Sequence, residues 1–147
     1  MSSQGDYEPS TRTWVRDQVA EYEASGGIRG NTLRDTGLPI IVMTTVGHKT
    51  GKVRKVPLMR VEYDGEYAIV ASRGGAPEHP GWYHNLVADT RVSIQDGSTP
   101  FLCEVCQVYG NDRAVWWERA VYAFPPYADY QDKTEREIPV FVASPTI

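Results

Sequence analysis

Two Asp-Gly pairs, Asp64-Gly65 and Asp96-Gly97, each separate runs rich in β-branched and aromatic residues. Asp-Gly accepts the positive φ of a tight hairpin turn, so each pair predicts two adjacent antiparallel strands. The first joins Val53–Tyr63 to "EYAIVAS", Glu66–Ser72. The second joins "RVSIQ" to "PFLCEVCQVYG". Upstream, Leu38–Val46 is nearly continuously apolar, as a strand buried on both faces would be, and "GHKTGK" turns it into the Val53 strand. "IPVFVAS" near the C-terminus supplies a last strand.

Helices fit between these strands. Thr13–Ala24 carries Val15, Val19 and Tyr22 on one stripe and stops at "SGG". A short helix is predicted from about Trp82 to Ala88, and another over "DRAVWWERAVYAF", with Asn111 as its cap and Pro125-Pro126 as its stop. The pattern is α+β, with a mostly antiparallel sheet closing into a barrel. At 147 residues the expectation is a single domain, with residues 1–35 as an N-terminal helix and extension and 38–147 as the barrel.

The longest apolar run, Leu38–Met43, is far too short to span a membrane, and "MSSQGDYEPSTR" has no apolar core of a secretory signal. A cytoplasmic protein is the expectation. Whether the first helix lies on the barrel, covers the site or touches the inner face of the membrane stays open, and Glu21 and Glu23 weigh against an anionic lipid surface.

Cys103 and Cys106 form a CxxC, a spacing that suits zinc or redox chemistry. Here it falls in a predicted strand, where residues three apart point to opposite faces. The sequence offers no second CxxC and no nearby histidine, so two free thiols and no metal site are expected.

Charge is distributed unevenly. The formal net charge is −4, yet Lys49, Lys52, Arg54, Lys55 and Arg60 follow His48 without one intervening acid. The rest of the chain then has ten bases against nineteen acids (fifteen minus five, and all nineteen). So local a positive field suits a small anionic ligand better than nucleic acid, which needs a wider basic face. The glycines of "GHKTGK" let backbone N–H groups approach an anion, although the Walker spacing is absent. Period two places Arg54, Val56, Leu58 and Arg60 on one strand face, and Pro57 makes the strand an edge or bulged one. Lys52 and Lys55 read as solvent-facing charge. Charge alone leaves an anion site and a protected edge strand equally supported.

"VASRGGAPEHPGWYHNL" ends a strand with Ser72, Arg73 and two glycines, then opens a helix with Trp82-Tyr83. Loops at strand ends often carry binding groups on a rigid frame. Trp82 by itself suits a core. "YAFPPYADY" places Tyr122, Phe124, Tyr127 and Tyr130 close together, either as a cap on the barrel or as an aromatic wall over a flat ligand. His79 and His84 have no evident partner and form no triad.

Taken in order, "GHKTGKVRKVPL", "VASRGGAPEHPGWYHNL" and "FPPYADYQDKTEREIPV" resemble the deazaflavin-dependent nitroreductase family of actinobacteria. The resemblance runs from Leu38 to the C-terminus. It implies a split β-barrel, related to flavin-mononucleotide-binding barrels, that binds coenzyme F₄₂₀, a deazaflavin with a phosphodiester and a polyglutamate tail. Carried onto this chain, Lys49, Thr50 and Arg54 hold phosphate or the acidic tail, while Pro57 and Leu58 support the ring pocket. Val70, Ala71, Ser72 and Arg73 run beside the deazaflavin and its phosphate, and Trp82, Tyr83 and Asn85 form a second wall. Tyr127 and Tyr130 line the substrate pocket. His48 stands where the family usually has Arg, which weakens one anion contact or makes it pH-dependent. Phe124 stands where members that reduce nitroimidazoles commonly have Tyr, and Met59 makes the matching wall more apolar than in some members.

The implied activity is hydride transfer from reduced F₄₂₀ to a small-molecule acceptor: a quinone, nitro compound or activated enone. Ser72 and Tyr127, with Tyr130 next, are the candidates for hydrogen bonding to the developing anion. Three alternatives stand beside it: an FMN-dependent reductase on the same barrel, a non-catalytic F₄₂₀ carrier, and an interaction protein whose basic edge docks an acidic partner.

Overall fold

The computed structural model describes residues 5–146. Seven strands form one antiparallel sheet: β1 (Ile40–Val46), β2 (Val53–Met59), β3 (Glu62–Tyr63), β4 (Glu66–Val70), β5 (Arg91–Gln95), β6 (Pro100–Val108) and β7 (Val140–Pro145). Their spatial order is β2-β1-β5-β6-β7-β4-β3. The two outer members, β2 and β3, are consecutive parts of one extended segment broken at Arg60-Val61. There Arg60 N–H donates to the Pro39 carbonyl (3.0 Å) and Ala68 N–H to the Val61 carbonyl (2.9 Å). The segment thus leaves β1 and passes to β4, and the backbone itself links the two ends of the curled sheet.

Both Asp-Gly hairpins form, the first as a tight two-residue turn and the second as a wider loop over residues 96–99 in which Gly97 (φ 111°) and not Asp96 takes the positive φ. Asp64 and Gly65 take φ of 54° and 83°, the pairing a two-residue hairpin requires. The turn at Asp96-Gly97 joins β5 to β6. Alternation along the strands then divides the apolar residues into two cores. Ile41, Met43, Tyr67, Ile69, Ile94, Cys103, Val105 and Phe141 fill the inner one. Helix α2 (Gly81–Ala88) packs Leu86, Trp82 and Tyr83 against it. The outer core takes Ile40, Val42, Ala68, Val70, Val140 and Val142. It is covered by α1 (Thr13–Ser25), through Val19 and Tyr22, and by α3 (Gly110–Ala123), through Trp116 and Ala120. Val15, Val19 and Tyr22 of α1 are all buried, and each such side chain contributes about 1.5–3 kcal/mol of transfer free energy. Among the described residues no helix is long and apolar enough to cross a membrane.

Beyond Val53, β2 has β1 as its only strand partner among the described residues, which accommodates the missing N–H of Pro57 on an edge strand. At Val53 the N-terminal extension covers that edge. Glu8 N–H donates to the Val53 carbonyl (2.8 Å) and Val53 N–H to the Asp6 carbonyl (2.9 Å), forming a parallel bridge at Tyr7.

Several expectations need correction. Asn111 is not a cap: α3 begins at Gly110 after Tyr109, with no side-chain cap. Pro125-Pro126 ends α3 but also starts a fourth helix, α4 (Pro126–Asp132), because proline's fixed φ suits the first helical turn. Tyr122 does not join the aromatic group and is 90 % exposed. Lys55 is not plain surface charge. Its Nζ lies 2.5 Å from Glu23 of α1 and over the Tyr7 ring. Arg60 parts from the β2 face and binds Asp96 through Nε at 2.9 and 3.0 Å. The thiols do diverge: Cys103 is buried, Cys106 is exposed and the two form no disulfide.

Candidate functional site

The β1–β2 turn is shaped by glycine. Gly47 N–H donates to the Lys52 carbonyl (2.7 Å) and Gly51 N–H to the Gly47 carbonyl (2.9 Å). A Cβ on Gly47 would come within 2.8 Å of Thr50 Oγ1, so only glycine leaves room for that hydroxyl, which accepts from Lys52 N–H (3.1 Å). Lys49 and Thr50 are exposed at the tip, and Arg54 follows in β2, where Glu8 lies 3.3 Å from its Nη1. His48 is tied to Asn85 of α2. Its backbone N–H donates to Asn85 Oδ1 (2.9 Å), Nδ1 lies 2.8 Å from the same oxygen, and Asn85 Nδ2 donates to Thr45 Oγ1 (3.2 Å).

Facing this turn, the loop after β4 takes an unusual path. Arg73, Gly74 and Gly75 have φ of 48°, 63° and 85° in succession. A non-glycine residue in that region costs on the order of 1–3 kcal/mol and persists only where its surroundings enforce it. The enforcing group is Arg136. Its guanidinium donates to the carbonyls of Ala71 (3.2 Å), Ser72 (2.8 Å) and Ala76 (2.9 Å). Its Nη1 also lies 3.0 Å from His79 Nδ1. Burial and the nearby guanidinium lower the His79 pKa, so Nδ1 accepts this bond as part of a neutral ring. Gly75 meets α4 closely: a Cβ there would lie 2.7 Å from the Tyr130 carbonyl oxygen.

The other end is aromatic. Phe124 and Tyr127 meet edge-on (centroids 5.0 Å), and Tyr130 lies about 6.1 Å from both. Tyr127 is 5 % exposed, and burial, with neighbouring Tyr130, raises its pKa, so the phenol keeps its proton.

These pieces line one cavity of about 1060 Å³. His48, Lys49, Thr50, Arg54, Pro57, Leu58, Met59, Val70, Ser72, Arg73, Trp82, Asn85, Phe124, Tyr127 and Tyr130 all contribute to its wall. Ala71 and Tyr83 do not. Ala71 is fully buried with its carbonyl on Arg136, and Tyr83 turns into the inner core and stacks on His79 (4.0 Å). The cavity is two-ended, with cationic groups around the Gly47–Lys52 turn and Val15, Leu33, Ile40, Met59, Val70 and the aromatic group opposite.

Among the contributors that sequence reasoning missed, Arg136, His79, Glu8 and Trp14 matter most. Arg136 stands in the quoted "EREIPV" stretch, but its clamp joins residues about sixty positions apart. His79 has a partner after all, and lines the cavity. Glu8 and Trp14 come from the N-terminal part, which carries no motif. This also answers the question about α1: it lies on the barrel, and its first turn forms part of the groove wall.

A family model described as F420H(2)-dependent quinone reductase matches residues 14–145. The chain belongs to that family. An F420H(2)-dependent quinone reductase of Mycobacterium tuberculosis is 37% identical over 131 residues, 87% of each chain. Among solved structures, an F420-H2 dependent reductase is 52% identical, with a TM-score of 0.69 over 72% of this chain and 94% of that one. A second, described as a domain-swapped dimer, is 47% identical, with a TM-score of 0.71 over 92% of this chain and all of that one. Membership in an F420H(2)-dependent family agrees with the deazaflavin resemblance, and its named acceptor class is quinones rather than nitro compounds.

Proposed function

We propose that this chain binds reduced F₄₂₀ along the groove, acidic end at the Gly47–Lys52 turn and ring at the aromatic end, and reduces a quinone stacked above it. The observation that carries this reading is the two-ended cavity. Lys49, Thr50, Arg54 and Arg73 suit phosphate and carboxylates, while Val70, Trp82 and Tyr127 suit a flat ring. Among the described residues, the Lys49 and Thr50 amides take no part in the turn's own hydrogen bonds and are free to meet an anion.

Bound reduced F₄₂₀ supplies a hydride and, with carbon in place of the flavin N5, disfavours one-electron transfer. The chain's task is to orient and to hold protons. Arg136 fixes Ser72 and its backbone at the groove wall. Ser72 Oγ and the Tyr127 hydroxyl are neutral donors available to an oxygen that gains charge, with Tyr130 beside them. Phe124, Met59 and Val15 keep that end apolar, which strengthens those hydrogen bonds. The apolar stripe of α1 is buried on the sheet, which supports its role as groove wall rather than membrane contact.

Titrating the purified protein with F₄₂₀ and with FMN, then adding quinone, nitro and enone acceptors to the reduced complex, tests this reading. Tight F₄₂₀ binding with oxidation by quinones is expected. Tighter FMN binding, or F₄₂₀ binding without turnover by any acceptor, would overturn it.

A further inference from the structure

His48 has two donors fixed to a single side-chain oxygen. Its backbone N–H donates to Asn85 Oδ1 at 2.9 Å, and Nδ1 lies 2.8 Å from that atom. The amide orientation is determined, because a flipped Asn85 would set its NH₂ against the His48 N–H. Asn85 is 7 % exposed, and its Nδ2 is engaged by Thr45 Oγ1. An amide oxygen only accepts, so Nδ1 carries a proton whether the ring is neutral or charged. In the neutral ring Nε2 is therefore a bare acceptor, with nothing to offer an anion. In the imidazolium, Nε2–H becomes a donor and the charge turns positive, with the Asn85 contact unchanged.

We propose that His48 is a proton-linked anion contact, and that the groove takes up a proton on His48 Nε2 as it accepts the acidic end of its ligand. That the ligand is F₄₂₀ rests on the function proposed above; the tautomer rests on geometry alone. The groups that face His48 are His84 of α2, with ring centroids 5.6 Å apart, and behind it His79, 6.4 Å from His84 and bonded to Arg136. Lys49 and Lys52 share its turn, and Arg54 lies on β2 with Glu8 against it. Apart from Glu8, already held by Arg54, these neighbours are cationic or neutral. The sign follows directly. The anion raises the proton affinity of His48, so binding is tight at low pH and weakens as pH rises through the imidazole's titration in the complex.

Calorimetric titration of oxidised F₄₂₀ into the whole chain tests this, from about pH 5.5 to 8.5, the span over which histidines titrate. Using two buffers of different ionisation heat yields the proton count directly. Wild type should exceed His48→Gln in proton uptake by up to one proton per ligand, and its Kd should rise with a slope approaching tenfold per pH unit. His48→Arg should bind with that extra uptake gone and affinity retained at the alkaline end, while His84→Asn should keep the uptake. Equal uptake in wild type and His48→Gln, or its loss in His84→Asn, would overturn the inference and leave F₄₂₀ binding intact. Failure of F₄₂₀ to bind at any pH would overturn the functional reading along with it.

Discussion

Arg136 Nη2 donates to the carbonyl of Ser72 at 2.8 Å, across 64 positions of sequence. The same guanidinium holds the Ala71 and Ala76 carbonyls, so it sets the loop that carries Ser72 and Arg73. Arg136→Ala should leave buried carbonyls without donors, at a cost on the order of 3 kcal/mol, and should weaken F₄₂₀ binding at least tenfold. Arg136→Lys should recover only part of both, because one ammonium cannot reproduce the planar fork. Urea melts and cofactor titration measure the two effects. Unchanged affinity would show that the loop keeps its path unaided.

Glu8 presents a competing carboxylate to Arg54. The pair is exposed, 41% and 42%, so it is worth less than about 1 kcal/mol. Glu8→Gln should therefore tighten F₄₂₀ binding by no more than about fivefold, most for long glutamate tails and least at high salt. Weaker binding in this variant would mean that Glu8 positions Arg54 rather than occupying it.

Gly74 and Gly75 make a matched pair. Both have positive φ, but a Cβ on Gly74 meets nothing within 4 Å, whereas one on Gly75 strikes the Tyr130 backbone. Gly74→Ala should cost about 1 kcal/mol from backbone strain. Gly75→Ala should cost more and should also lower turnover, because α4 must move with Tyr127 and Tyr130. Thermal melts and steady-state kinetics distinguish the two, and equal effects would remove the clash as a cause.

Tyr127→Phe should reduce turnover tenfold or more with little change in F₄₂₀ affinity, since the hydroxyl is proposed to serve the acceptor. Unchanged kinetics would remove it from the catalytic group.

Alkaline pH should expose a separate dependence. Tyr67 donates to Asp96 Oδ2 (2.6 Å), and burial, then that bond, raises its pKa above the ordinary 10.0. The folded state therefore keeps a proton that the unfolded chain loses, so this contribution is complete below pH 10 and declines above it. The slope is about 1.4 kcal/mol per pH unit for each such group. Urea melts at pH 9 and 11 should show a smaller loss in Tyr67→Phe than in wild type.

The strands and hairpins were legible because alternation and Asp-Gly turns are local signals. Val15, Val19 and Tyr22 showed the buried face of α1 for the same reason. Most of the groove's wall was legible too, but only through a resemblance spanning three stretches; charge alone could not distinguish an anion site from a guarded edge. What stayed hidden depended on distance in sequence. No local rule joins Arg136 to Ser72, Glu8 to Arg54 or Lys55 to Glu23. Prolines mislead in the opposite direction: Pro125-Pro126 stops one helix and, by the same fixed φ, starts another.

The divergence of Cys103 and Cys106 has a practical side. Burial pushes the Cys103 thiol up to about 11 and shields it, whereas Cys106 is exposed on β6 and does not line the groove. A maleimide dye or spin probe would therefore attach at one defined position. The molecule has a built-in handle from which ligand entry can be watched in real time, with no engineered residue near the chemistry.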